Sequence, residues 1–162
     1  MIEVYSDIES SMIRDDIKAA QIAAMKGGDK GTVAATRLIQ AAIKNRDIEL
    51  RTASTQPDDD VAVTEVLQKM IKQRRESIDL YRKGGREELA ANEEAEIAVI
   101  ERFLPRQMSE DEAKAAIDGL AGELGASSVK DMGRVMAALK ERFAGQMDMS
   151  KASALVKARL GA

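Results

Sequence analysis

The sequence predicts an all-α fold in two helical parts, and three observations carry that expectation. Strong helix formers (Ala, Leu, Ile, Met, Glu, Lys and Arg) dominate the 162 residues. Aromatic side chains are nearly absent, Tyr5, Tyr81, Phe103 and Phe143 being the full set, whereas sheet cores lean on aromatic and β-branched residues. Apolar residues recur at helical spacing between capping and stop signals.

Ser6 with Glu9 fits a capping box, and the stripe Ile13, Ile17, Ala20 and Ala24 follows until Gly27-Gly28 ends the first helix. Thr32 is the expected cap of a second helix with Ile39, Ala42, Ile43 and Leu50 on one face. The polar segment from Thr52 to Asp60, with Pro57, reads as a loop. Asp60 is the expected cap of a third helix whose stripe is Val63, Leu67, Met70, Ile78 and Tyr81, ending at Lys83-Gly84-Gly85. A fourth runs from about Glu87 to Leu104 with Leu89, Ile97, Ile100 and Leu104 inward, and Pro105 stops it.

Past Pro105, Ser109 with Glu112 forms a second capping box before Ala113, Ala116, Ile117, Leu120 and Leu124, with Gly125 suited to the C′ position. Ser128 is a cap for Val129, Met132, Val135, Met136, Leu139 and Phe143, and Gly145 ends that helix. Asp148 or Ser150 caps the last one, which carries Ala152, Leu155, Val156 and Leu160. Amphipathic helices joined by short loops bury their stripes against each other. The expected organisation is therefore an N-terminal four-helix domain of antiparallel hairpins over 1–104 and a C-terminal three-helix domain over 105–162.

Composition narrows the chemistry. There is no Cys and no His, which removes thiolate nucleophiles, the commonest general base and the commonest metal ligands. No catalytic residue, cofactor or metal is expected, and any chemistry would run on Asp, Glu, Lys, Ser or Tyr. No apolar run approaches the roughly 20 residues of a membrane span. The start, Met1 to Glu9, carries acids and no basic stretch, unlike a signal peptide, so a cytoplasmic location and no membrane partner are the default expectations. Net charge is −3, unevenly spread: residues 1–104 hold 16 basic and 20 acidic side chains, residues 127–162 seven and three. A basic end on an acidic protein fits a polyanion partner, and it also fits an ordinary solvated face.

Several local patterns invite a sharper reading. Gly27-Gly28-Asp29-Lys30-Gly31-Thr32 lacks the Gly-Lys-Ser/Thr order and the preceding strand of a phosphate loop, and reads as an interhelix turn. Asp58-Asp59-Asp60 suits the positive end of a helix dipole better than a cation. Glu93, Glu94 and Glu96 lack the His of carboxylate metal bundles. Arg74 falls inside the apolar stripe of the third helix, and Glu93 and Glu96 border that of the fourth. A structural ion pair between Arg74 and one of them is expected, since an unpaired buried charge is costly. Lys69, Lys72, Arg74, Arg75, Arg82, Lys83 and Arg86 crowd one helix, either as a phosphate-binding ridge or as a face neutralised by the following glutamates. Gly133 lies within a helix at a cost of roughly 1 kcal/mol relative to Ala. Close helix packing or close approach of an RNA backbone would account for it. Lys130 and Arg134 flank it, and Ser150-Lys151 offers a helix N-terminus suited to phosphate. With Lys140, Lys151 and Lys157, these are the candidate nucleic-acid contacts, and not all of them can share one face.

Four stretches together resemble the YqeY family: Thr36 to Lys44 (TRLIQAAIK), Lys72 to Ser77 (KQRRES), Glu93 to Pro105, and Asp131 to Met136 (DMGRVM) with Gly145 and Val156-Lys157. The same domain forms the C-terminal part of GatB, the tRNA-binding subunit of the Glu/Asp-tRNA amidotransferase, a carbon–nitrogen ligase with glutamine as amido donor. The resemblance implies an all-helical two-part fold and a link to tRNA. It reaches only the tail of GatB, without the kinase-like catalytic region or a glutaminase. The expectation is a tRNA- or RNA-binding helical module, not an enzyme on its own, binding through the three-helix end. The alternative is a protein–protein adaptor for an amidotransferase or an aminoacyl-tRNA synthetase. A direct part in amide transfer has the least support, since no nucleotide loop or nucleophile–base pair is visible.

Overall fold

The structure, a computed structural model, describes residues 12–161. Helices run over Ile13–Gly27 (α1), Lys30–Leu50 (α2), Asp59–Lys83 (α3), Glu87–Glu101 (α4), Glu110–Leu124 (α5), Met132–Phe143 (α6) and Met149–Gly161 (α7). A 3-10 turn, Val129–Asp131, precedes α6. No strand is present among the described residues. The chain divides into two compact units, 1–104 and 105–162.

Polar side chains set the helix starts, not always the expected ones. The Ser6–Glu9 capping box lies outside the described residues, and α1 begins after an extended Met12. Its first N–H group, that of Ile13, is taken up from another helix by Asp60 Oδ1 at 2.9 Å. At α2 the cap is Asp29 rather than Thr32. The Asp29 carboxylate accepts the Thr32 N–H at 3.1 Å and the Thr32 hydroxyl at 2.7 Å, and Thr32 is buried one turn inside the helix. Asp58 rather than Asp60 caps α3, accepting the Val61 N–H. At α5 both halves of the Ser109–Glu112 box are present. Gly28 at φ 72° and Gly125 at φ 61° close α1 and α5 in the left-handed conformation that only glycine enters readily.

In the N-terminal unit the core is aliphatic: Ile17, Ile39, Val63, Leu67 and Ile100 are essentially inaccessible, with Tyr81 and Phe103 at its edge. Thr36 is buried in it without penalty, because its hydroxyl donates to the Thr32 carbonyl at 2.8 Å. The helices α3 and α4 form an antiparallel pair: Arg75 reaches Glu101 near the far end and Arg82 reaches Glu94 near the turn. Arg74 sits between them, 15% exposed, with its Nε 2.8 Å from Glu96 Oε2 and 3.9 Å from Glu93 Oε2.

The C-terminal unit closes around Ile117, Val135, Leu139 and Val156. Val129, placed in the inward stripe by the sequence period, is 49% exposed. It belongs to the 3-10 turn, whose tighter pitch shifts the phase of the stripe.

The ion pair and the caps each have a measurable consequence. Arg74→Ala strands two half-buried carboxylates and is expected to lower stability by about 1–3 kcal/mol, read from urea denaturation. The carboxyls of Asp29, Glu112 and Asp131 are held below their ordinary values of 3.8, 4.5 and 3.8, chiefly by hydrogen bonds to Thr32, Ser109 and Ser127. A depressed folded-state pKa contributes stability above the ordinary value and loses it as pH falls through the lowered one. With no His or Cys to titrate, the melting temperature is expected to be flat from about pH 5.5 to 8 and to drop below about pH 4.

Candidate functional site

Most of the charged residues singled out by the sequence are engaged in holding the fold. Asp58 caps α3, Asp59 accepts Arg14 Nη2 at 2.8 Å, and Asp60 takes the Ile13 N–H, so each carboxylate of that run has a structural partner. Arg14 also reaches Asp47 on α2 at 2.7 and 2.9 Å. Its guanidinium is held well above the ordinary range by the Asp47 hydrogen bond first and Asp59 second. The basic ridge of α3 is largely neutralised. Arg74 meets Glu96, Arg75 meets Glu101, Arg82 meets Glu94 and Glu87, and Arg86 meets Glu88.

The C-terminal candidates separate by residue type. All four arginines of residues 105–162 are tied to carboxylates: Arg106 to Glu112, Arg134 to Asp131, Arg142 to Glu123 and Arg159 to Asp118. Lys114 pairs with Glu110. Lys130, Lys140, Lys151 and Lys157 are exposed, and among the described residues none has a carboxylate within 4.0 Å. Lys130 lies on the 3-10 turn, which packs beside the C-terminal end of α7, the end that carries Lys157. Lys140 and Lys151 flank the opposite turn, around Gly145. The candidates thus form two pairs at the two ends of the α6–α7 hairpin.

The α7 N-terminus is not free for a phosphate. Asp148 Oδ1 accepts the N–H groups of Ser150 at 2.7 Å and Lys151 at 3.4 Å, so a carboxylate already occupies the start of α7. Gly133 is exposed, and a Cβ built on it meets nothing within 4 Å. Close helix packing therefore does not account for this glycine. Gly133→Ala is expected to raise stability by up to about 1 kcal/mol through helix propensity alone, measurable as a higher melting temperature.

The network that sequence reasoning missed is Arg14–Asp47–Asp59. Arg14 follows Ile13 directly, a position that looks solvent-facing, and its partners lie 33 and 45 residues away. Next to it, Lys18, Gln40 and Lys44 line a shallow cleft between α1 and α2. Among the described residues no group of side chains is arranged to hold a metal ion, and no helix is long and apolar enough to cross a membrane.

A family model described as Yqey-like protein matches residues 13–160. "Altered inheritance of mitochondria protein 41, mitochondrial" of Eremothecium gossypii is 32% identical over 124 residues, 75% of this chain and 63% of that protein. Its Lachancea thermotolerans namesake is 30% identical over 121 residues, covering 73% and 56%, and one from Saccharomyces cerevisiae is 31% identical over 94, covering 58% and 47%. The chain thus spans about half to under two thirds of the length of these relatives. Their names overturn the expectation of a cytoplasmic location. That expectation rested chiefly on the lack of an apolar span, which does not distinguish one aqueous compartment from another.

Proposed function

This chain belongs to the Yqey-like protein family, and from that premise we propose that it acts as an RNA-binding helical module, with tRNA as the RNA class. The observation that carries the reading is the division of cations in the C-terminal unit. Every arginine there is bound to a carboxylate, while Lys130, Lys140, Lys151 and Lys157 are left to solvent at the two ends of one hairpin. Uncommitted ammonium groups on a rigid hairpin bind phosphates without first breaking an ion pair. The tRNA class comes from the likeness to the amidotransferase tail, which also makes an amidotransferase or a synthetase the enzyme class in whose company it would act.

Binding of this kind is electrostatic and not sequence-reading. Phe143, half-buried, is the sole aromatic side chain of residues 105–162, so there is no platform for stacking successive bases. The acidic balance of residues 1–104, 20 acids against 16 basic side chains, repels RNA at long range and keeps affinity modest.

Filter binding with total tRNA tests the reading. Lys130→Glu with Lys157→Glu, or Lys140→Glu with Lys151→Glu, is expected to weaken binding with helicity unchanged. The log–log salt slope should shrink by roughly one unit for each phosphate-binding lysine removed. Absence of any tRNA affinity in the wild-type chain at low salt would remove the reading.

A further inference from the structure

On α2 and the capping residue that follows it, the side turned away from the core carries Lys30, Arg37, Lys44 and Arg51, all exposed and each seven residues from the next. At a rise of 1.5 Å per residue they stand about 10.5 Å apart over about 32 Å. Between them lie Ala34, Ala41 and Ile48, and no acidic residue shares this stripe. Among the described residues none of the four cations has a carboxylate within 4.0 Å, and Arg51 feels Asp47 only through space. For Arg37 and Arg51 that is uncommon in a unit where Arg14, Arg46, Arg74, Arg75, Arg82 and Arg86 are in ion pairs and Arg102, over the Phe103 ring, is the other exception. For Lys30 and Lys44 it is the rule, since no lysine of this unit has an ion pair among the described residues.

The same unit shows what such spacing matches. On α3, Arg75 and Arg82 are seven residues apart, and the helix packed against them presents Glu101 and Glu94, also seven apart. Heptad-spaced guanidinium groups there meet heptad-spaced carboxylates on an antiparallel helix. The α2 stripe repeats the basic half of this arrangement over a greater length, and it borders acids at Lys44, which shares the α1–α2 cleft with Asp15 and Asp47.

We propose that this face of α2 docks an α-helix of a partner protein that carries carboxylates at seven-residue intervals. A strict seven-residue repeat drifts by about 20° per heptad around an α-helix, the drift that a second helix follows in left-handed packing. Ala34 and Ala41 leave shallow positions that let a partner helix approach closely, and Ile48 and the neighbouring Leu38, 49% and 47% exposed, offer it apolar contact. Phosphate backbone gains nothing from those apolar positions, and a helix cannot enter the deep, narrow major groove of duplex RNA. Docking on α2 is independent of RNA binding by the C-terminal lysines.

Fluorescence anisotropy with two synthetic peptides of about 28 residues tests it. One carries Glu at one position and Leu three residues on in each of four heptads; the other has the same composition with the Glu residues spaced by five. The full chain is expected to bind the first at least about tenfold tighter than the second. Arg37→Glu with Lys44→Glu should remove about tenfold or more of that affinity at unchanged helicity. Arg37→Gln with Lys44→Gln, which cannot introduce new repulsion with neighbouring acids, should give a smaller drop in the same direction. Lys130→Glu with Lys157→Glu should leave peptide binding as it was. Equal affinity for the two peptides, or peptide binding indifferent to the α2 changes, overturns the proposal. So does tRNA binding abolished by Arg37→Glu with Lys44→Glu where the heptad peptide does not bind, which would assign the face to nucleic acid. Dimerisation of the wild type that Arg37→Glu with Lys44→Glu abolishes would assign it to a second copy of the chain and overturn the proposal likewise.

Discussion

Arg14 is the joint on which the N-terminal unit depends. From the first turn of α1 its guanidinium reaches Asp47 near the end of α2 and Asp59 at the start of α3, while the neighbouring Ile13 N–H is held by Asp60. The aliphatic core shows why such a joint matters. Ile17, Ile39, Leu67 and Ile100 bury well but interlock weakly compared with large aromatic plates. Helices packed on aliphatic stripes can slide by a turn at modest cost, and directional contacts at their ends fix the register. Arg74 with Glu96 serves the α3–α4 pair in the same way. These contacts add specificity more than net stability, because the gain in attraction is largely offset by the hydration given up.

What is legible in the sequence and what is hidden follows from the range of each interaction. The Ser109–Glu112 box is legible because both of its hydrogen bonds close within three residues. Arg74 is legible because a cation inside an apolar stripe needs a partner, and the next helix offers carboxylates at its own stripe edge. The start of α2 misleads because Asp29 and Thr32 are both competent caps three residues apart, and only burial of Thr32 distinguishes them. Val129 misleads because a 3-10 turn breaks the helical period that places it inward. The Arg14 network cannot be read at all, since nothing local links residue 14 to residues 47 and 59.

The candidate surfaces are hidden for a different reason: charge counted along a chain is not charge available in space. Residues 127–162 look basic in sequence, with seven cations against three acids. Folding brings Asp118 and Glu123 of α5 against Arg159 and Arg142, which removes two of those cations from solution, and Asp131 takes Arg134. The α3 ridge, the densest basic run in the sequence, has each of its arginines paired. The α2 face, whose cations are diluted by alanine and isoleucine in the sequence, keeps all four of them uncommitted among the described residues.

This redistribution has a physical logic rooted in the difference between the two cationic side chains. The planar guanidinium presents several donors in a fixed fork and gives up little freedom when it holds a carboxylate, so arginine is the efficient structural clamp. The ammonium of lysine is compact, strongly hydrated and mobile, and gains less from a fixed partner. In the C-terminal unit the division between the two is complete apart from Lys114. On α2 it fails, because Arg37 and Arg51 are arginines without clamps among the described residues. Arg102 shows that a guanidinium outside any ion pair can be left to other contacts, here the Phe103 ring, and it is the recurrence along one face that sets Arg37 and Arg51 apart. With Lys30 and Lys44 they recur every seven residues, the spacing at which a helix packed alongside in the proposed way would present its carboxylates.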